Sequence, residues 1–314
     1  MTRHVIVGAG PVGTTTAHLL AEEGHHVVLV SRRGRGPRHE GIELVAADAT
    51  DSEQLGRTTA GTAAIYNCAN PPYHRWATDW PPLAASLLGA AETSGAVLVT
   101  AGNLYGYGPL DHPMHEDDPL AATGVKGRVR AQMWRDALAA HETGRARVTE
   151  ARASDFFGPL VTDAHLGERV VPRVLTGRTV TVLGNLDVPH SWTYVPDLAR
   201  TLVTLATDER AWGRPWHVPS NAPLTSRQVV AALSRAAGRQ PVSVKTVPGV
   251  VIAAVGLVNA PLRAMREVSY QFERPFVLDS SAATATFALT PTSYDEAFGA
   301  TVAWYRDQAT RKAA

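Results

Sequence analysis

The stretch "HVIVGAGPVGTTTAHLL" constrains this chain more than any other. A short β-branched run from His4 to Val7 ends in Gly8, Gly10 and Gly13, and apolar residues at helical spacing follow at once. Glycines in G-x-G-x-x-G order between a strand and a helix let backbone amides close on a pyrophosphate at a helix amino terminus. With Pro11 and Val12 inside it, the motif predicts a dinucleotide site on the first crossover of a parallel sheet. The same rhythm continues: "VVLVSRR", "GIELVAADATD", "TAAIYNCAN" and "AVLVTAGN" read as strands two to five, with "LAASLLGAAETSG" a helix before the fifth. "RVTEARASDFFGP" reads as a sixth strand, preceded by a helix starting near Gly124. The expected fold class is therefore α/β, a Rossmann-type doubly wound parallel sheet.

After Pro159 short strands and helices mix with more proline, as in a smaller segment packed over the ends of the strands. We expect residues 1–160 to form the cofactor-binding domain with 186–218 returning to it, and 161–185 with 219–314 to form a smaller α/β substrate-binding region. A formal charge of +1 gives no global reason to bind nucleic acid or an anionic membrane. The basic residues are 27 arginines and 3 lysines, so an arginine cluster is weaker evidence here than usual. The single cysteine, Cys68, has no internal disulfide partner, and no Cys/His spacing suggests a metal. No apolar run approaches a membrane span and no leader is evident, which predicts a cytoplasmic protein with a small-molecule substrate, as a monomer or homodimer.

The end of the second strand bears on the cofactor. An NAD-preferring site places a carboxylate there for the ribose 2′-hydroxyl, whereas this chain offers Ser31, Arg32 and Arg33. Two guanidiniums and a hydroxyl suit a 2′-phosphate, so the expectation is NADP(H). Arg35 and Arg38 read as a solvated basic loop. Asp48 is placed either to accept from the adenine amino group or as an ordinary acidic turn residue.

Several motifs now stand in order: the glycine loop, "AADATD", "YNCAN", "VTAGNLYGYGP", "RASDFFGP", and later "TYVPDLAR" and "WHVPSNAPLTSRQVV". Together they resemble the extended branch of the short-chain dehydrogenase/reductase superfamily, in its epimerase/dehydratase group, over nearly the whole chain. The resemblance implies further cofactor contacts at Ala49, Ala69, Thr100, Lys126, Ser154 and Phe156. It also implies a Ser or Thr after the fifth strand and Tyr-x-x-x-Lys at the next helix, the tyrosine exchanging a proton with the substrate oxygen. Aligned on these landmarks, the chain has Ala101 at the serine place, with Thr100 one residue earlier, Thr123 at the tyrosine place and Gly127 at the lysine place. Lys126 is displaced by one residue, about 100° around a helix.

The resemblance therefore implies an atypical member whose standard triad is lost. The candidate catalytic residues are Thr100, Asn103, Tyr105 and Lys126, with a water held by Thr100 and Asn103, or the substrate's own phenol, ranked ahead of Tyr105 and Tyr107 as the proton source. Asn70, Tyr73, His74, Trp76, Trp80, Tyr107, Phe157, His190 and Trp192 are expected around the substrate, and flat side chains favour flat ligands. Arg128 and Arg130 read as the polar face of a helix. The leading expectation is an NADPH-dependent reductase of an aromatic or polycyclic ketone, set by analogy in secondary metabolism as a polyketide-tailoring enzyme. The alternatives are a nucleotide-sugar epimerase or dehydratase, and a non-catalytic NADP(H) sensor. Against a nucleotide sugar stands "DVPHSW", which lacks the Arg-Asp pair that relatives carry before the aromatic.

Overall fold

A computed structural model describes residues 1–247 and 265–313. Residues 248–264 of the segment assigned to the substrate-binding region lie outside the described residues. The first half alternates as its hydrophobic pattern dictates: β1 (Arg3–Val7), α1 (Pro11–Glu22), β2 (His26–Ser31), β3 (Ile42–Ala46), α2 (Ser52–Thr59) and β4 (Ala64–Asn67). Then follow α3 (Trp76–Ser94), β5 (Val97–Asn103), α4 (Val125–Glu142), β6 (Arg147–Ala153) and the short β7 (Asp155–Phe157). α4 opens on Gly124, as its sequence predicts. α3 starts earlier than its apolar run suggests, because Trp76 and Trp80 fall one turn apart on its buried face while Pro81 and Pro82 face solvent.

The second half contributes α5 (Val171–Leu175), β8 (Val180–Val182), β9 (Trp192–Tyr194), α6 (Val195–Thr207), β10 (Pro215–His217) and α7 (Ser226–Ala236). β11 (Val244–Thr246), α8 (Ser281–Phe287) and α9 (Tyr294–Ala313) complete the described elements. Seven parallel strands form the main sheet in the order β10-β6-β5-β4-β1-β2-β3. β10 joins it beside β6, with His217 opposite Arg152, and α6 packs on α1. β8 pairs with β11 and β7 with β9 in two small ladders beyond the main sheet.

Strand alternation sends Ile6, Tyr66, Val97 and Ala151 to one side of the sheet, against α1 and α6, and Val5, Ile65, Leu98 and Val148 to the other, against α3 and α4. Each aliphatic side chain so buried contributes roughly 1.5–3 kcal/mol. A third core, with Phe157, Val174, Trp192, Val229 and Phe298, belongs to the smaller layer. Ala283 and Phe287 of α8 pack instead against the first core, so part of the segment after residue 219 rejoins the sheet layer. The strand order reverses between β1 and β4, which opens the crevice at their carboxyl ends where ligands of such sheets sit.

Candidate active site

The glycine turn lies at this crevice, and each glycine answers a different demand. Gly8 has φ +111° and a side chain on it would begin 2.5 Å from the Cys68 carbonyl at the exit of β4. A side chain on Gly13 would begin 1.9 Å from the Gly8 carbonyl, which is why α1 can sit so close to β1. Gly10 faces open space, with nothing within 4 Å of where its Cβ would stand. α1 begins at Pro11 with no side-chain cap and no acidic residue in its first turn, leaving its amino terminus open to an anion. A tight turn, a close packing contact and an open approach are what a dinucleotide pyrophosphate needs, so the residues present fit that group.

At the end of β2, Arg32 and Arg33 are exposed and take no hydrogen-bond or ion-pair partner among the described residues. Ser31 closes the turn behind them, its hydroxyl donating to the Arg35 carbonyl and accepting from the Arg35 amide. Asp48 is an exposed turn carboxylate: hydrogen bonds from the Thr50 amide and hydroxyl hold it below the usual range, with Arg32 adding to that. Ala49 is buried beside this turn, Ala69 is partly buried at the exit of β4, and Phe156 packs partly exposed against the first core. The buried Ser154 hydroxyl has no hydrogen-bond partner among the described residues, although its backbone amide donates to Thr193 Oγ1.

The three places aligned with the expected triad carry Thr123, Gly127 and Ala101. Thr123 is exposed, just outside α4. A side chain on Gly127 would begin 2.3 Å from Ala122 Cβ and 2.5 Å from the Tyr105 carbonyl, so no lysine fits without moving the backbone. Ala101 packs into the first core, while Thr100 lines a cavity of about 660 Å³ between α3 and α4 with Asn67 and Glu150. Asn103 is a turn former, its Oδ1 accepting from the Tyr105 amide.

A phenol and an ammonium nevertheless meet at the amino end of α4. Tyr73, from the loop after β4, places its hydroxyl 2.7 Å from that of Tyr105, and Lys126 Nζ stands 5.7 Å from the centre of the Tyr73 ring. The loop is fixed by Trp76, whose Nε1 donates to the Pro71 carbonyl and whose ring lies 4.9 Å from that of Tyr73. Burial pushes the Tyr73 hydroxyl up to about 12, against the hydrogen bond from Tyr105, which lowers it. Burial likewise raises Tyr105 well above 10. The Gln271 side chain acts to lower Tyr105, and either hydroxyl of the Tyr73–Tyr105 pair can be the donor. Glu267 caps α4, its carboxylate accepting from the Lys126 amide at 2.6 Å and from Nζ at 3.1 Å.

Asp155, at the start of β7, extends the same cluster. Its Oδ2 lies 2.9 Å from His190 Nε2, and His190 Nδ1 lies 3.1 Å from the Gln271 carbonyl. Its charge acts on both Tyr73 and Tyr105. His165 stacks on Phe272 with ring centres 4.2 Å apart, and its Nε2 is enclosed without a hydrogen-bond partner among the described residues.

Much of the expected aromatic wall is packing. Trp80, Phe157 and Trp192 are fully buried in hydrophobic cores, and the Trp192 Nε1 donates to the Leu224 carbonyl. Tyr107 is buried between Arg152 and His217, with its oxygen 2.7 Å from Arg152 Nη1 and 2.8 Å from His217 Nε2. Trp76 is buried under the loop and Asn70 and His74 are exposed. Arg130 is no solvated residue. It is 7% exposed, lies over the rings of Trp76 and Trp80 at 4.9 and 4.3 Å, and leaves Nε and Nη1 without hydrogen-bond partners among the described residues. An isolated helix-face reading missed it because a long aliphatic stem and two indoles can enclose a guanidinium. Sequence reasoning also missed Asp155, although it lies inside the quoted "RASDFFGP", and Glu267 and Gln271, which no local motif marks.

Burial holds both His4 and His165 down to about 4. Unfolded imidazoles take up protons near 6.5. The unfolded chain therefore binds more protons between pH 6.5 and 4, and stability rises with pH across that window. Acidification from 6.5 to 4 is expected to remove roughly 3 kcal/mol through His165, and His165→Phe to blunt that loss, as read by urea melts at successive pH values.

The pattern of the NAD dependent epimerase/dehydratase family matches residues 4–218, and the chain belongs to that family. Its fold matches UDP-glucose 4-epimerase of Thermotoga maritima with a TM-score of 0.79 at 17% identity, over 98% of this chain and 99% of that one. It matches dTDP-glucose 4,6-dehydratase of Bacillus anthracis, solved with NAD, with a TM-score of 0.79 at 17% identity, over 99% and 98%. UDP-glucuronic acid 4-epimerase of Bacillus cereus, solved with UDP-glucuronic acid and NAD, gives a TM-score of 0.78 at 16% identity, over 98% and 99%. No curated protein sequence matches this chain. No helix among the described residues is long and apolar enough to cross a membrane.

Proposed function

We propose that this chain is an NADP(H)-dependent oxidoreductase acting at a carbinol or carbonyl carbon of a hydroxylated, sugar-like small molecule, by chemistry of the epimerase/dehydratase type. The observation that carries the reading is the Tyr73–Tyr105 hydroxyl pair beside Lys126, a phenol and an ammonium assembled from separate segments where the family motif is missing. When bound, the dinucleotide supplies the hydride acceptor and donor. The chain's own groups do the rest: the glycine turn and the first amides of α1 hold the pyrophosphate, and Arg32 and Arg33 take the 2′-phosphate. Tyr73 exchanges a proton with the substrate oxygen, and Tyr105 orients it.

The family match and the sugar-nucleotide enzymes sharing the fold support an epimerase or dehydratase reaction more than reduction of a polycyclic ketone. The character of the cluster agrees. Trp80, Phe157 and Trp192 are spent in packing, while the groups of the Tyr73–Tyr105 cluster are polar: Lys126, Asp155, Glu267 and Gln271. Several polar groups suit a ligand with several hydroxyls. The Pro189–His190 pair offers no guanidinium for a diphosphate, so the sugar need not be nucleotide-linked.

One observation favours a second reading, one-way ketone reduction. Both phenols stay protonated at neutral pH, the state that donates a proton to an alkoxide. Two assays separate the readings. A sugar interconverted by the NADP⁺-loaded protein, with no net change in NADPH absorbance, supports the first. Steady NADPH consumption with a ketone panel supports the second, and tight dinucleotide binding without either turnover sinks both. For the cofactor, Arg32→Ala with Arg33→Ala is expected to weaken NADPH by about tenfold to a hundredfold in a fluorescence titration, with NADH little changed.

A further inference from the structure

Two groups able to move protons share this site, and a hydride transfer at a carbinol carbon needs only one. Asp155 sits at the carboxyl edge of the sheet, its carboxylate 19% exposed. Only Oδ2 is engaged, by His190 Nε2, and Oδ1 has no hydrogen-bond partner among the described residues. The imidazole behind it is 3% exposed and fixed on three sides, with ring centres 4.4 Å from Trp192, 5.3 Å from Phe272 and 5.2 Å from Phe276. Both ring nitrogens face acceptors, Asp155 Oδ2 and the Gln271 carbonyl. A tie between layers needs no half-open carboxylate, and buried ion pairs add little stability by themselves.

We propose that Asp155, held by His190, is a base for a carbon acid: it removes a proton from the carbon next to a substrate carbonyl whose oxygen is protonated by Tyr73. The C–H bond breaks and its proton goes to Asp155 Oδ1. The electron pair forms the carbon–carbon double bond of an enol, and the carbonyl oxygen takes the Tyr73 proton. Delivery of a proton from water to the opposite face, with Asp155 releasing its own to solvent and the enol returning its proton to Tyr73, inverts that carbon. Departure of the hydroxyl on the next carbon as water, carrying the proton held by Asp155 while the enol returns its proton to Tyr73, gives dehydration. Tyr73 holds its proton because it is buried, so the phenol supplies the acid and Asp155 the base. His190 is a positioning residue, reaching the substrate only through Asp155. This rests on the reading of Tyr73 above, yet the enol step itself needs no dinucleotide.

The test is exchange of the methylene protons of dihydroxyacetone in D₂O by the full-length protein without dinucleotide, followed by proton NMR. Exchange at least tenfold above buffer is expected, falling to near the buffer rate in Asp155→Asn, recovering partly in Asp155→Glu, and reduced in Tyr73→Phe. His190→Gln is expected to slow exchange while thermal melting and NADPH binding stay near wild type. A second measurement needs no variant: the epoxide glycidol is expected to esterify Asp155 ahead of the fully exposed Asp111, as read by peptide mass mapping. Carboxylate attack opens the epoxide, whose oxygen takes a proton from Tyr73. Exchange at the buffer rate, exchange unchanged by Asp155→Asn, or no preference for Asp155 over Asp111 overturns the proposal. Exchange without any hydride transfer in the assays above overturns the oxidoreductase reading and leaves the dyad standing.

Discussion

Tyr73→Phe is expected to lower kcat by about a hundredfold or more on whichever substrate the assays identify, with NADPH binding unchanged. The hydroxyl it removes is paired at 2.7 Å with that of Tyr105, on which the Gln271 side chain also acts. Tyr105→Phe leaves the reacting hydroxyl in place and removes only the hydrogen bond that orients it, so a fall of about tenfold is expected there. The pH profile gives an independent check. A phenol that burial holds up to about 12 donates its proton unchanged across neutral pH, and reduction is lost only as pH rises toward that value. Steady-state kinetics of the two variants, with fluorescence titration of NADPH, separate loss of chemistry from loss of cofactor. A large fall for Thr100→Ala with none for Tyr73→Phe would return the proton to a water, although Thr100 faces the α3–α4 cavity.

The contrast between the glycine turn and the phenol pair explains what could be read from the chain alone. The turn is local: three glycines within six residues carry their own conformational demands, and a strand and a helix on either side supply the context. The parallel, doubly wound class of the sheet followed from the alternation of apolar strand runs with helical ones, because a parallel sheet needs a crossover between strands. Tyr73 and Tyr105 stand 32 residues apart, and Asp155 and His190 stand 35 apart. Such pairs are decided by where the carboxyl ends of strands converge, which no local pattern encodes. Glu267 reaches α4 across 141 residues. The aromatic residues misled for a related reason. A tryptophan near a predicted site reads the same whether it faces a ligand or a core, and Trp80 resolves to the core only once Arg130 is found stacked on it.

Gly13→Ala and Gly10→Ala are expected to part company completely, and the difference tests the cofactor site most directly. An added methyl at residue 13 would begin 1.9 Å from the Gly8 carbonyl, 3.1 Å from its carbon and 3.2 Å from Cys68 Cβ. Two of those atoms are backbone, so α1 must lift from β1 and β4, where Ala17 and Leu20 are wholly buried. The cost is expected above about 4 kcal/mol, read as a large drop in the urea midpoint or as insoluble protein. Residue 10 is different. Its φ of −79° and ψ of −175° suit any L-residue, and its methyl would meet nothing within 4 Å. Gly10→Ala is therefore expected to melt within roughly 0.5 kcal/mol of wild type. Its methyl nevertheless occupies the approach that a pyrophosphate requires, so dinucleotide affinity is expected to fall by at least tenfold. Wild-type affinity in Gly10→Ala would mean that the dinucleotide does not cross this turn, and the roles given to Arg32 and Arg33 would fall with it.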